Sequence, residues 1–276
     1  MKPRRALALA SVLASWAVVG ARAGAAQVVP AQPDRYLLTT EASDARALWV
    51  NPAGLVRVPE ASIGADMTLD RFFPGGTQLS QYGLSLAGRG IAASWIHERF
   101  PPRQALNVYA VGIGLGDEQF SAGTTRRWIT GAATASAWDA AARVSTLDGT
   151  QLSLVVRNIG SPHLLDSTYW ATAVPGALVS LLSGVVQVGG EWEVTPHTWR
   201  SVGYRAGGTV ALGRGLALLL RADLSPSFKR RALVVALGFD ASGSRAGAFA
   251  LASGSANEVD AVGLSGALVT RGSPRR

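Results

Sequence analysis

From Ala61 onward, apolar and polar residues alternate with a period of two. In ASIGADMTLD, Ile63, Ala65, Met67 and Leu69 share one face, and Ser62, Gly64, Asp66, Thr68 and Asp70 share the other. Successive side chains of a strand point to opposite faces, so this pattern predicts a strand with one apolar and one polar side. QYGLSLAG repeats it, with Tyr82, Leu84 and Leu86 against Gln81, Gly83 and Ser85. VYAVGIGLGD does so with Tyr109, Val111, Ile113 and Leu115 against Ala110, Gly112, Gly114 and Gly116. Similar runs follow at 119–129, 131–146, 149–159, 177–194, 200–212, 215–224, 231–241, 245–253 and 257–270. Turn residues bound them, among them Pro74-Gly75-Gly76, Pro101-Pro102, Asp148-Gly149, Gly213-Arg214-Gly215 and Ser225-Pro226. Almost no helical period lies between the runs. A parallel sheet needs crossover helices there, so the strands are antiparallel.

Run length separates two all-β architectures. Strands of soluble sandwiches average about 5 or 6 residues, whereas a tilted membrane-spanning strand needs about 9 to 11. Many runs here are of the longer kind. In lipid every backbone group must be paired, and closing the sheet achieves that. The expected fold is all-β: an antiparallel up-and-down transmembrane β-barrel of about 12 strands, within a range of about 10 to 14, preceded by a short N-terminal helical plug or hatch. Aromatic residues make up only 7% of the chain, thin for two interfacial girdles. A soluble periplasmic β-sandwich, or an anchoring module of a larger secreted enzyme, is the competing reading.

The first 26 residues read as an export signal. Lys2, Arg4 and Arg5 precede the apolar stretch Ala6–Val19, and Ala21-Arg22-Ala23 fits small-residue cleavage. The mature chain is expected to begin near Gly24 or Gln27, outside the cytoplasm, with the outer membrane as its destination. The expected organisation is a signal peptide at 1–26, a hatch segment at 27–60, the barrel at 61–270 and a basic tail at 271–276.

The formal charge of +8 then loses most of its meaning. Lys2, Arg4, Arg5, Arg22, Arg271, Arg275 and Arg276 lie at the two ends, which leaves 19 basic against 18 acidic residues in the body. A phosphate-binding stripe for nucleic acid has little support. There is no cysteine, so disulfides and thiolate metal sites are excluded.

Enzyme signatures are weak. His97, His163 and His197 are the only histidines, and their spacing builds no zinc motif. GLSLA at 83–87 misses the last glycine of a nucleophile elbow. Ser85 with His97 is the residual candidate pair for a barrel lipase. The expectation is no catalysis, no cofactor and no metal. Charges interrupting the strands, Asp66, Asp70, Arg157, Arg221 and Asp223, are expected to face the lumen, because a charge facing lipid at midplane costs about 2–4 kcal/mol.

One stretch stands apart. In SDARALWVNPAGLVRV, an apolar run breaks at Asn51-Pro52-Ala53-Gly54-Leu55 and resumes. Pro52 forces the preceding residue out of helical geometry, and Gly54 permits a tight return. The segment resembles the N-terminal signature of the FadL-type outer-membrane transport family and its PorV-like relatives. LSLVVRNIGSP at 152–162 and VGGEWEV with SVGYRAGG are weaker likenesses to the same group. The resemblance implies a plugged barrel in outer-membrane lipid, with Asn51, Pro52, Ala53, Gly54 and Leu55 in the hatch, near a wall opening for hydrophobic cargo. It implies the binding or passage of small hydrophobic molecules. The alternative is a non-transporting barrel that docks a secretion or surface protein partner, as PorV-like relatives do. Family members carry about 14 strands, more than the runs counted here.

Overall fold

A computed structural model describes residues 38–270, apart from 42–43, 59–60, 71–75, 101–103, 147, 165–166, 214, 242–243 and 254–260. The expected signal at 1–26, the first part of the expected hatch and the tail at 271–276 lie outside the described residues.

Seven strands come first: β1 (Ala61–Asp70), β2 (Gln78–Gly88), β3 (Ile91–Phe100), β4 (Gln104–Gly116), β5 (Phe120–Gly131), β6 (Ala135–Ser145) and β7 (Thr150–Ile159). A two-stranded ladder of β8 (His163–Leu164) and β9 (Ser167–Thr168) stands apart in the next connection. Seven more follow: β10 (Thr172–Leu181), β11 (Val186–Thr195), β12 (Arg200–Gly213), β13 (Leu216–Leu224), β14 (Arg230–Ala241), β15 (Ser244–Ser253) and β16 (Ala261–Thr270). Fourteen strands form one closed antiparallel barrel, in which β7 pairs with β10 and β16 returns to β1 with Thr270 opposite Ala61. No helix among the described residues is long and apolar enough to cross a membrane.

Fourteen is the top of the expected range, and two strands account for the difference from the twelve visible runs. The run at 177–194 contains a hairpin: Leu182, Ser183 and Gly184 take φ of 50°, 55° and 88°, and the chain reverses between β10 and β11. β3 hides its alternation, because its inner face mixes Ala92 and Ile96 with Ser94, and its outer face mixes Ile91 and Trp95 with His97. All these strands fit into the chain because the connections at one end are short, such as 89–90, 117–119 and 182–185. At the other end consecutive strands lie farther apart along the chain, as from Asp70 to Gln78, from Ile159 to Thr172 and from Ser253 to Ala261. Membrane barrels share this asymmetry between short periplasmic turns and longer outer loops.

Burial is inverted relative to a water-soluble sheet. Leu86 is 55% exposed, while Ser85 beside it is 1% exposed. Along β1, Ile63 and Met67 face out, while Ser62, Asp66 and Thr68 are buried. A soluble sandwich would bury the leucines and solvate the serines, so this pattern removes that reading.

The scarcity of aromatic residues is resolved by their placement. Tyr82, Tyr109, Trp128 and Trp138 lie on the outer face of β2 and β4–β6 nearer the long-loop end, and Trp95 lies on the same face at the middle of β3. Tyr82 and Trp95 meet edge to face at 5.6 Å. Arg126 lies over Trp128 and Trp138 at 5.1 and 5.3 Å. Tyr204 stacks on Phe228 at 4.7 Å on the opposite flank. On β2–β4 the outer face toward the short-turn end is aliphatic, with Leu86, Ile91, Ile113 and Leu115. The aromatic residues are spent mainly on one rim, where amphipathic rings suit a lipid–water boundary.

Candidate functional site

The segment before β1 turns into the barrel and crosses it. Ala47–Val50 form one helical turn, α1, and Pro52–Arg57 form a 3-10 turn. Between them Asn51 is extended, as a residue before proline must be. Pro52 sits at the first position of the second turn, where its missing N–H costs nothing. Asn51 is fully buried and joins three pieces of chain. Its backbone N–H donates to Ala47 O at 2.9 Å. Its Oδ1 accepts from Ala53 N–H at 3.0 Å, and its Nδ2 donates to Thr39 O at 2.7 Å.

The barrel wall holds this segment from several sides. Trp49 Nε1 donates to Ser94 Oγ on β3 at 3.1 Å. Thr125 Oγ1 on β5 donates to Leu48 O at 3.1 Å, and Arg157 Nη2 on β7 donates to Val50 O at 3.2 Å. Thr39 Oγ1 meets Ser153 Oγ on β7 at 2.8 Å, and Thr39 N–H donates to Glu191 on β11. Thr209 Oγ1 on β12 donates to Glu41 at 3.0 Å. Burial raises the Glu41 carboxyl above the usual carboxylate range, against the opposing donors Leu38 N–H and Thr209. The described plug therefore touches strands on both sides of the lumen.

Close approach explains the glycines that alternate along β4 and β5. A Cβ at Gly123 would sit 2.3 Å from Pro52 O, and one at Gly114 would sit 3.0 Å from it. At Gly112 the obstacle is Leu48 Cδ1 at 2.5 Å. The Asn-Pro-Ala-Gly turn lies directly on a glycine floor.

The lumen has two chemistries. One flank is charged. Arg127 pairs with Asp139 at 2.6 Å, and Arg205 bridges Glu191 and Glu193 at 3.2 and 3.1 Å. Arg221 grips Asp223 through two bonds of 2.7 and 2.9 Å. Of the residues expected in the lumen, Asp66, Arg157 and Arg221 are buried on the inner face. Asp223 lies on the same side, paired with Arg221. Asp70 ends β1, and its side chain lies outside the described residues. The other flank is apolar. Ile96, Leu106, Val108 and Ile129 on the inner faces of β3–β5 form one buried cluster with Leu48, Trp49 and Leu55 of the plug and Leu164 of β8. Alternation alone does not reveal this flank, because polar and apolar residues mix on both faces: Ser94 and Glu98 share the inner face of β3 with Ile96, and Asn107 shares the outer face of β4 with Tyr109.

One seam of the wall is incomplete. The β10–β11 register runs from Gly176 opposite Glu191 directly to Ala173 opposite Val194. Val174 and Pro175 are left out of this ladder. Proline has no N–H to give, and such a residue in a central strand marks an interruption. Gly176, next to the gap, lies against Thr39 of the plug.

Catalytic readings lose their geometry. Ser85 lies on the inner face and bonds to Ser94 at 2.7 Å, while His97 lies on the outer face against Tyr82 and Asn107. The two stand on opposite sides of the sheet and cannot act as nucleophile and base. Among the described residues no group of three or more His, Asp or Glu is placed to hold a metal ion.

Solved structures of similar shape are outer-membrane barrels. The CymD monoaromatic hydrocarbon channel aligns over 88% of this chain and 97% of its own, at 11% identity and a TM-score of 0.60. The toluene transporter TodX of Pseudomonas putida aligns over the same shares, at 12% identity and a TM-score of 0.56. The outer membrane protein Omp33 of Acinetobacter baumannii aligns over 77% of this chain and 98% of its own, at 8% identity and a TM-score of 0.51. No protein-family model and no curated relative matches the chain. The fold is that of outer-membrane β-barrels.

Proposed function

We propose that this protein is a FadL-like outer-membrane channel that passes small hydrophobic molecules without covalent chemistry, with Asn51–Leu55 as its hatch. The observation that carries the reading is the apolar flank inside the barrel. Ile96, Leu106, Val108 and Ile129 join Leu164 at the long-loop end to Leu48 and Leu55 of the plug. A water-filled pore has a polar lumen. A greasy inner track ending on a plug suits cargo that avoids water. Two of the similar barrels are described as a monoaromatic hydrocarbon channel and a toluene transporter, which supports the same cargo class. The Pro175 seam beside Thr39 is the favoured candidate for a sideways exit into the bilayer, since opening it breaks few ladder bonds.

The hatch reading has a direct test. Asn51→Ala leaves Thr39 O and Ala53 N–H buried without their partner, at about 1–3 kcal/mol each. Since about 1.4 kcal/mol is a factor of ten in population, seating of the plug should weaken by at least that factor. Entry of a fluorescent naphthalene-type probe into vesicles with a lipopolysaccharide outer leaflet is expected to be faster with this variant than with the parent. If neither protein admits the probe above protein-free vesicles, the channel reading fails, and a docking barrel becomes the better account.

A further inference from the structure

At the short-turn end of the lumen, several donors are left unused. Arg143, on the inner face of β6, is 1% exposed, and its Nε, Nη1 and Nη2 have no hydrogen-bond partner among the described residues. Ser121 stands directly opposite it in the β5–β6 ladder. That residue is also 1% exposed, and its hydroxyl likewise has no partner among the described residues. Two positions along the same face of β6, Ser145 Oγ accepts from Arg57 Nη2 at 2.7 Å. This contact brings the last cation of the plug to the same corner. Arg57 Nε is buried there without a partner among the described residues.

Glu118, in the turn between β4 and β5, offsets part of the Arg57 charge, and Arg57 Nη2 also donates to its carbonyl O at 3.3 Å; no acid among the described residues does the same for Arg143. Asp139 lies on the same face of β6, but its Oδ1 already accepts from Arg127 at 2.6 Å and from Asn158 N–H at 2.9 Å. Gln151 Oε1, on β7 opposite Ser145, also lacks a partner among the described residues, yet one neutral oxygen leaves the Arg143 charge without a counter-charge among the described residues. A buried charge without a counter-charge is strongly unfavourable. A guanidinium offers five N–H donors in a planar fork that matches an oxyanion.

We propose that Arg57, Ser121 and Arg143 form a binding site for a small oxyanion, such as phosphate or a carboxylate, which ties the plug to the wall. One donor comes from the plug and two from β5 and β6, so bound anion favours the seated plug. This site does not depend on the nature of the cargo.

The test uses the full chain folded in detergent micelles at fixed ionic strength, with chloride replaced stepwise by inorganic phosphate in one arm and by acetate in the other. Binding to the folded state alone raises the unfolding midpoint in a saturable manner. The expected result is a saturable rise of several degrees with at least one of the two anions, lost in Arg143→Gln and in Arg57→Gln. The arm that responds identifies the preferred oxyanion. Arg57→Gln lies outside the barrel wall and decides the matter if Arg143→Gln does not fold. Equal response to chloride and both oxyanions, or an undiminished rise in a folded variant, overturns the proposal.

Discussion

Arg127→Met is expected to destabilise the barrel by about 3–5 kcal/mol, the cost of removing one partner of a buried ion pair. Arg127 and Asp139 are 1% and 2% exposed, and they meet at 2.6 Å. Arg127 also donates to Asn158 Oδ1 at 2.9 Å, and Asn158 N–H donates to Asp139 at 2.9 Å. Asn158 has a φ of 55°, a left-handed geometry that asparagine tolerates better than most residues. Here the β6–β7 register shifts, with Trp138 opposite Ile159 and Ala140 opposite Val156. The pair therefore pins a bulge, and the bulge adjoins Arg157, which holds Val50 O of the plug. A guanidinium chloride titration in micelles should show the loss as a lowered midpoint. Arg127→Met combined with Asp139→Leu should recover most of it, because no buried charge is then left alone. A single variant as stable as the parent would mean that the pair is solvated.

Gly123→Val should unseat the plug while leaving the wall closed. Its Cβ would lie 2.3 Å from Pro52 O, 2.4 Å from Pro52 C and 2.7 Å from Ala53 N. These are backbone atoms and cannot swing aside. Overpacking costs about 1–3 kcal/mol where neighbours can adjust, and here the plug is the part free to move. The expected result is probe entry raised by about tenfold or more, since about 1.4 kcal/mol is one decade. Protease cleavage of the plug segment should increase, while the heat-sensitive compact gel band of the barrel is retained. Unchanged cleavage and unchanged probe entry would show that the Asn-Pro-Ala turn does not rest on β5.

Much of the wall is legible in the residues, because membrane strands must alternate and β1 and β2 do so cleanly. β3 is hidden because apolar and polar residues mix on both its faces, Ser94 among Ala92 and Ile96 inside and His97 among Ile91 and Trp95 outside. The β10–β11 turn is hidden because Leu182 and Ser183 are not residues that announce a positive φ. The Asn-Pro-Ala-Gly-Leu stretch is visible as a break with a family likeness. Its bonds to Thr39 and its glycine floor are not, since they join positions far apart along the chain. Adjacent residues of a strand face opposite ways, so Arg126 lies over Trp128 and Trp138 outside while Arg127 enters the lumen. Read along the chain, the two are merely a basic pair.

The parent chain has no cysteine, so single cysteines can carry spin labels without background. Labels at positions 84, 85 and 86, in bilayers, report the account's central claim that the wall turns one face of each strand to lipid and the other to the lumen, with the apolar residues of β2 outside and Ser85 within. Leu84 and Leu86 are predicted to be open to oxygen dissolved in lipid and closed to a water-soluble nickel relaxant, with Ser85 shielded from the lipid. Nickel access at Leu84 and Leu86, or no two-residue alternation across the three sites, would contradict it.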